Sequence, residues 1–367
     1  MNLQELPLDF TERTTFCLRS LYEQYGYSQY KMSKFEEYDL YARNKDFLIS
    51  EHVITFTDLG GKLMALKPDV TLSIVKNSRD RAALQKLYYN ENVYRVAKGT
   101  QTFRQIQQVG LECLGDIDGY CLLEVLLLAV KSLSAISENC ILDISHLGLL
   151  TGLLDGFGLG AGDKEEILRC IGSKNRHELA QICRDAGVAQ EETDLLIQVA
   201  AASGEPETVL PQLRTQLQGA VDLEPLEQLA RLTALLKNTV ENCRIRVDFS
   251  VVDDVHYYNG VVFKGFVQGL PGSILSGGQY DKLMRKMNRK SGAVGFAVYM
   301  DMLERMQSQA QDFDVDTVVL YDATTPLEAL AQQVLKLMQA GVRFVVQQAI
   351  PEDIRYRSLL NMGEREE

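Results

Sequence analysis

The sequence predicts an α+β fold: an antiparallel sheet with flanking helices, a helical insertion and a short C-terminal α/β fragment. Three observations carry this reading. Two long strand-like runs, 88–96 and 102–114, are joined by a short Lys98-Gly99-Thr100 turn, as in a hairpin. Residues 151–240 carry helical periods with no good strand candidate, after which strand alternation returns sharply at Ile245, Val247, Phe249 and Val251. The 367 residues, 46% of them hydrophobic, are enough for about two domains with sizeable cores. Residues 1–150 and 241–308 are therefore assigned to the core, 151–240 to the helical insertion, and 309–367 to a truncated α/β region.

The elements follow in order. A first helix presents Phe16, Leu18, Leu21, Tyr22 and Tyr25 and stops at Gly26, a residue suited to a helix end. The second hairpin strand has two unlike faces. Val109, Leu111 and Cys113 point one way, while Arg104, Gln108, Gly110 and Glu112 point the other. Such a strand either turns its polar face to water or floors a polar site. In the insertion, Leu229, Leu232 and Leu236 recur at helical spacing, and a Gly-rich stretch at 156–162 breaks its start. Arg244, Arg246, Asp248 and Ser250 alternate with the apolar residues of the next strand, which reaches Val251. Further strands are expected at 260–267 and 270–275, then a Ser276-Gly277-Gly278 turn and a helix over 280–287. The stretch 292–306 starts with small residues and runs into an amphipathic helix. The tail reads as strand 317–321, helix 325–340, strand 342–347 and an incomplete helix from Pro351. That is one βαβ unit, which wants further strands to close a sheet.

Composition removes several function classes. With 38 Lys+Arg against 50 Asp+Glu the net charge is -12, so no global positive field exists to hold nucleic acid. Seven cysteines, scattered and without a CxxC pair, fit reduced thiols in a cytoplasm, with neither a zinc site nor a disulfide framework expected. The N-terminus lacks a basic segment followed by an apolar one, and the apolar stretch 121–130 carries Glu124 and is half of what a membrane span needs, so no membrane association is expected. Four scattered histidines offer no metal-ligand spacing, and no phosphate-binding, dinucleotide or nucleophile-elbow signature is present.

Longer patterns remain. Tyr25-Gly26-Tyr27 precedes Phe35-Glu36, with Ser33 two residues before Phe35. Then come Lys67-Pro68-Asp69-Val70-Thr71, Tyr94-Arg95 through Gln108-Val109-Gly110-Leu111-Glu112, His256-Tyr257-Tyr258-Asn259-Gly260, Ser276-Gly277-Gly278-Gln279-Tyr280-Asp281, and Gly295-Phe296-Ala297. In this order the segments resemble the class II aminoacyl-tRNA synthetase core, specifically that of histidyl-tRNA synthetases. The resemblance makes them motif 1, which forms the dimer interface and usually has proline at the position of Ser33, the segment holding the amino group of histidine, motif 2, two histidine-specific segments, and the start of motif 3. It implies a class II synthetase-like fold.

The departures from that family bear on activity. Amino-acid activation needs fixed arginines around the α-phosphate of ATP, because pre-placed positive charge is the largest stabilisation available. Where the resemblance places them, this sequence has Asp253, Gln279 and Met302 after Asp301, with the Glu304-Arg305 pair too late along the chain, and Val96-Ala97 follow Arg95 where Glu and Arg are usual. Losing one such group typically costs on the order of a hundred- to a thousandfold. Histidine recognition is better kept. The resemblance places Asp69, Thr71, Arg95, Gln108, Glu112, Tyr257, Tyr258 and Tyr280 as histidine-binding residues. An ammonium suits carboxylates and amide oxygens, and an imidazole suits aromatic walls with hydroxyls. Asp69 is one methylene shorter than the usual Glu, and His256 replaces an Asp. Gly110, two residues from Glu112, is read as leaving room for the ligand.

A synthetase-like core without activation arginines and with a short tail resembles the regulatory-subunit family of ATP phosphoribosyltransferase in histidine biosynthesis. That resemblance implies a non-catalytic protein with no catalytic residues, metal or cofactor. It implies a short-form catalytic subunit as partner, a homodimer within a hetero-octamer, and histidine as the allosteric ligand of feedback inhibition. The alternatives are a catalytically competent histidyl-tRNA synthetase-like enzyme, an amino-acid ligase with another substrate, and a tRNA-sensing module.

Overall fold

The computed structural model describes residues 8–45, 48, 52–78, 83–96, 102–239, 242–252, 257–303, 313–350 and 352–363. They belong to two compact units, Met1–Glu304 and Arg305–Glu367.

The first unit opens with α1 (Phe10–Gln24), whose start is fixed by a reciprocal capping box between Asp9 and Glu12. It ends where Gly26 takes φ +80, a conformation that a side chain would resist. Leu18 and Tyr22 point inward, and the Tyr22 hydroxyl lies 2.9 Å from Ser132 Oγ. Strand β1 (Ser28–Gln29) leads to a small antiparallel sheet of β2 (Phe35–Glu37), β3 (Thr55–Thr57) and β4 (Leu63–Leu66), ordered β2-β4-β3, with α2 (Tyr38–Ala42) after β2. Helix α3 (Thr71–Asn77) follows, then the long hairpin of β5 (Gln85–Val96) and β6 (Phe103–Gly115), paired from Gln85↔Leu114 to Val96↔Phe103. The expected turn at 98–100 lies outside the described residues.

Helix α4 (Gly119–Ile136) has a mean hydropathy of 1.7 and meets the length and composition of a membrane span, yet 61% of it is buried inside this unit. Its Glu124 accepts a hydrogen bond from the Tyr27 hydroxyl at 3.1 Å and pairs with Lys86 at 2.7 Å, so the acid is satisfied in the core. Strand β7 (Cys140–His146) enters the main sheet. The helices α5 (Leu147–Gly156), α6 (Ala161–Gly172), α7 (Arg176–Asp185), α8 (Gln190–Ala201), α9 (Pro206–Leu217) and α10 (Glu224–Thr239) follow, beginning ahead of residue 151. This stretch also holds a strand that its helical texture hid, β8 (Ser203–Gly204), which pairs with β9 (Cys243–Asp248). β9 stops at Asp248 instead of reaching Val251, because the Asp248 carboxylate accepts from the Ser250 amide at 2.9 Å and closes a turn.

The unit is completed by β10 (Val261–Val267), β11 (Leu275–Gln279), α11 (Asp281–Lys286) and β12 (Gly292–Tyr299), which runs into a 3₁₀ turn at Met300–Met302. The described residues of 292–306 thus hold a strand and this turn, not an α-helix. The nine-stranded order is β1-β5-β6-β12-β11-β10-β7-β9-β8. It is antiparallel throughout except for β1–β5 and β7–β9. The expected strand at 270–275 and turn at 276–278 are displaced: Ser276, Gly277 and Gly278 lie inside β11. A Cβ on Gly277 would strike the Phe296 side chain, so these glycines serve close strand contact, not reversal.

The second unit contains β13 (Val315–Leu320), α12 (Leu327–Gln339), β14 (Phe344–Gln347) and β15 (Tyr356–Asn361). The helix expected from Pro351 is replaced by β15, which pairs in parallel with β13 from Val315↔Tyr356 to Leu320↔Asn361. The βαβ unit gains its third strand in this way.

Candidate functional site

Motif-bearing elements converge over the middle of the sheet. β6 supplies Gln108 and Glu112, the end of β5 supplies Arg95, and the start of α3 supplies Asp69 and Thr71. The segment before β10 supplies Tyr257 and Tyr258, and the β11–α11 junction supplies Tyr280. All eight sequence-predicted residues line one cavity of about 40 Å³, together with Tyr89, Ser276, Gly295, Phe296, Ala297 and Tyr299. That space holds a few waters, so an amino acid entering it must move surrounding side chains. The polar face of β6 does not meet water at this end: Gln108 and Glu112 are both buried.

Glu112 is 2% exposed. It accepts hydrogen bonds from Thr71 Oγ1 and from the Tyr280 hydroxyl, each at 2.6 Å. Burial pushes its carboxyl up to about 8; the two hydroxyls oppose the shift and the charge of Asp69 adds to it. Asp69 accepts from the Leu72 amide at 2.9 Å, which fixes it at the start of α3. Gly110 does not leave ligand space, as its place beside Glu112 implied. A Cβ there would strike the ring and hydroxyl of Tyr89, its partner across the hairpin. The glycine accommodates Tyr89, a cavity residue that sequence reasoning missed because a turn centred on Gly99 would pair Tyr89 with Val109, one residue out of the observed register.

The aromatic wall is continuous. Tyr257 lies 4.8 Å from Tyr258 and 5.5 Å from Tyr280 between ring centroids. Burial holds the hydroxyls of Tyr89, Tyr257 and Tyr280 well above the ordinary phenol value, so they act as neutral hydrogen-bonding groups. Arg95, 9% exposed, is the one cation among the described lining residues. Its Nε donates to Pro68 O at 3.0 Å, while its buried Nη2 has no hydrogen-bond partner among the described residues. A cavity lined by two carboxyls, a guanidinium nitrogen without a partner among the described residues and tyrosine rings is suited to a small zwitterion carrying an aromatic group.

The positions where the resemblance sets activation arginines are otherwise engaged. Gln279 Oε1 accepts from the Val261 amide at 3.0 Å and occupies the space beside Gly260. Met302 extends toward Gly272. Asp253, His256, Ala97, Glu304 and Arg305 lie outside the described residues. Lys67 is buried and paired with Glu91. Among the described residues no group of three or more His, Cys, Asp or Glu could hold a metal ion.

Residues 8–303 match the family model described as histidyl-tRNA synthetase. An ATP phosphoribosyltransferase regulatory subunit from Oceanobacillus iheyensis is 24% identical over 355 residues, covering 94% of this chain and 87% of the relative. Among solved structures, an ATP phosphoribosyltransferase regulatory subunit/histidyl-tRNA synthetase from Bacillus halodurans matches with TM-score 0.75 at 21% identity, covering 97% of this chain and 94% of that one. An ATP phosphoribosyl transferase (HisG:HisZ) complex from Thermotoga maritima matches with TM-score 0.62 at 20% identity, covering 80% and 97%. At such identities the structural likeness establishes the fold, which is the class II synthetase-like α+β architecture of these proteins.

Proposed function

This chain belongs to the histidyl-tRNA synthetase family, and on that premise we propose that it is a non-catalytic, histidine-sensing regulatory subunit of ATP phosphoribosyltransferase. One observation supports the reading: the cavity is lined by groups suited to an amino acid, while Gln279 and Met302, engaged with Val261 and near Gly272, occupy positions where the resemblance sets activation arginines. In the bound state the ligand ammonium would meet Glu112 and Asp69, its carboxylate would meet Arg95 Nη2, and its imidazole would lie among Tyr257, Tyr258 and Tyr280. The names of the relatives support an ATP phosphoribosyltransferase as partner; on this proposal it is a short-form catalytic subunit that needs this chain for full activity and is inhibited by histidine through it. The assembly is a hetero-octamer containing homodimers of this chain, in the cytoplasm, with no role for nucleic acid, membrane, metal or cofactor. Histidine and the active conformation then oppose one another reciprocally, typically by ~1–3 kcal/mol.

The test is reconstitution. Mixing the purified chain with a short-form catalytic subunit should raise phosphoribosyl transfer, and histidine should reverse the gain. No change in rate, with no complex on a sizing column, would refute the proposal. A competent synthetase-like enzyme or ligase is the other reading, favoured by the retained Arg95, and histidine-dependent ATP–pyrophosphate exchange would reveal it.

A further inference from the structure

Outside the cavity, a larger crevice of about 660 Å³ opens at the end of the main sheet where β7 and β9 begin. Its walls include Glu138, Asn139, Arg244 and Gln268, and both Cys140 and Cys243 line it. We propose that Cys140 and Cys243 are a reversible thiol pair, oxidised to a disulfide by a low-molecular-weight disulfide that enters this crevice, and that the bond closes a ring around the helices α5–α10.

The geometry rests on register. Cys140 is the first residue of β7, Cys243 is the first of β9, and the two are direct partners in a parallel pair. Neighbouring strands lie about 4.8 Å apart, within the Cα separation of about 4.4–6.8 Å that a disulfide spans. Each cysteine sits at a strand end, where fewer ladder bonds resist the small approach required. Cys140 Sγ lies 3.6 Å from Asn242 O and 3.8 Å from Ser134 Oγ, on the same edge of the crevice that Cys243 lines. The proximity of Cys243 holds the Cys140 thiol below its ordinary value, whereas the proximity of Cys140, followed by burial, pushes Cys243 up. Cys140 is therefore the attacking sulfur. The neighbouring thiols Cys113 and Cys121 differ, since burial raises both.

The exchange balances in two steps. The Cys140 thiolate attacks one sulfur of the small disulfide, forming a mixed disulfide and expelling one small thiolate. The Cys243 thiol then loses its proton and attacks Cys140 Sγ, forming the internal bond and expelling the second thiolate. Two protein thiols are oxidised and one small disulfide is reduced to two thiols. The chain between the two sulfurs, roughly 100 residues including every helix from α5 to α10, becomes a closed loop.

The experiment incubates the full-length protein with oxidised glutathione as the probe, then maps thiols by differential alkylation and peptide mass spectrometry without reduction. A Cys140–Cys243 cross-linked peptide is expected, reversed by dithiothreitol, with a rise in Tm of roughly 5 °C. Cys140→Ser and Cys243→Ser should each abolish the cross-link and the shift, and Cys113→Ser should abolish neither. If the wild-type protein keeps both thiols free, stops at an adduct on Cys140, or cross-links other cysteines instead, the inference is overturned. The wild-type map alone decides this should a serine variant not fold.

Discussion

Glu112 and Gly295 face each other across the β6–β12 ladder, and the Glu112 carboxylate fills the space where a side chain at 295 would begin. The site's principal acid thus depends on an absence in the neighbouring strand. Gly295→Ala should force the carboxylate from its two hydroxyl donors and cost roughly 1–3 kcal/mol of stability. Adding Glu112→Ala should return part of that loss, because the colliding group is gone. A double-mutant cycle by thermal melts checks it; additive costs would show that the two residues do not interact.

Glu112→Gln should act oppositely on stability and on sensing. Glutamine keeps the volume but removes the charge, so inhibition of the assembled transferase should need about ten- to a hundredfold more histidine, while uninhibited activity stays near normal. Stability should rise. The folded carboxyl titrates at about 8, above its ordinary 4.5, so the wild type has its full stability below about pH 4.5 and loses it as pH rises through 8. The variant's advantage in Tm should grow from pH 5 to pH 8. A mutant complex still inhibited at the wild-type histidine concentration would remove this cavity as the sensor.

The same carboxyl makes binding proton-linked. Below pH 8 it is mostly protonated, and an ammonium ligand prefers it ionised, so histidine binding should release a proton and weaken by up to about tenfold per unit as pH falls. Calorimetry in buffers of unlike ionisation enthalpy measures the proton count. Glu112→Gln provides the baseline for the ligand's own titration, and equal proton release from the variant would contradict the linkage.

Histidine-dependent pyrophosphate exchange should be absent, and Gln279→Arg should not create it. An arginine there would lose the bond to the Val261 amide and crowd Gly260, without supplying the other missing cations. Exchange at a synthetase-like rate from the wild-type chain would overturn the regulatory reading.

On the small sheet, Phe35 is 47% exposed and Phe56 39%, their rings edge to face at 5.2 Å. An exposed aromatic pair on the motif 1 strand fits a two-fold interface that also draws on the segment from Phe16. The wild-type chain should be a dimer at micromolar concentration by light scattering. Phe35→Ser should shift it toward monomer without loss of helix signal; a monomeric wild type would count against this surface.

The sequence exposed the site more fully than it exposed local conformation. All eight binding candidates reach one cavity because β5 and β6, the start of α3, the segment before β10 and the β11–α11 junction meet over the middle of one sheet. The glycines misled. Gly277 and Gly278 have turn chemistry by propensity, and only the approach of Phe296 from β12 to the first and of Val261, Val262 and Tyr258 to the second makes them strand residues. Gly110 looked like a ligand's space and proved to be Tyr89's. β15 was missed because Tyr356–Asn361 is largely exposed and lacks the β-branched alternation that marks a half-buried strand; its pairing with β13, far back in the chain, decides it.

The hydrogen bond from Tyr280 to Glu112 also has a bearing on biosynthesis, since it joins residues 168 positions apart. At about 5–20 residues per second, roughly ten to thirty seconds of translation separate the two. Throughout that interval the nascent β5–β6 hairpin offers a carboxyl whose second donor and whose covering strand β12 do not yet exist. Water must solvate Glu112 meanwhile, and the acid gives up that hydration and its charge only when the last third of the chain emerges and closes over it.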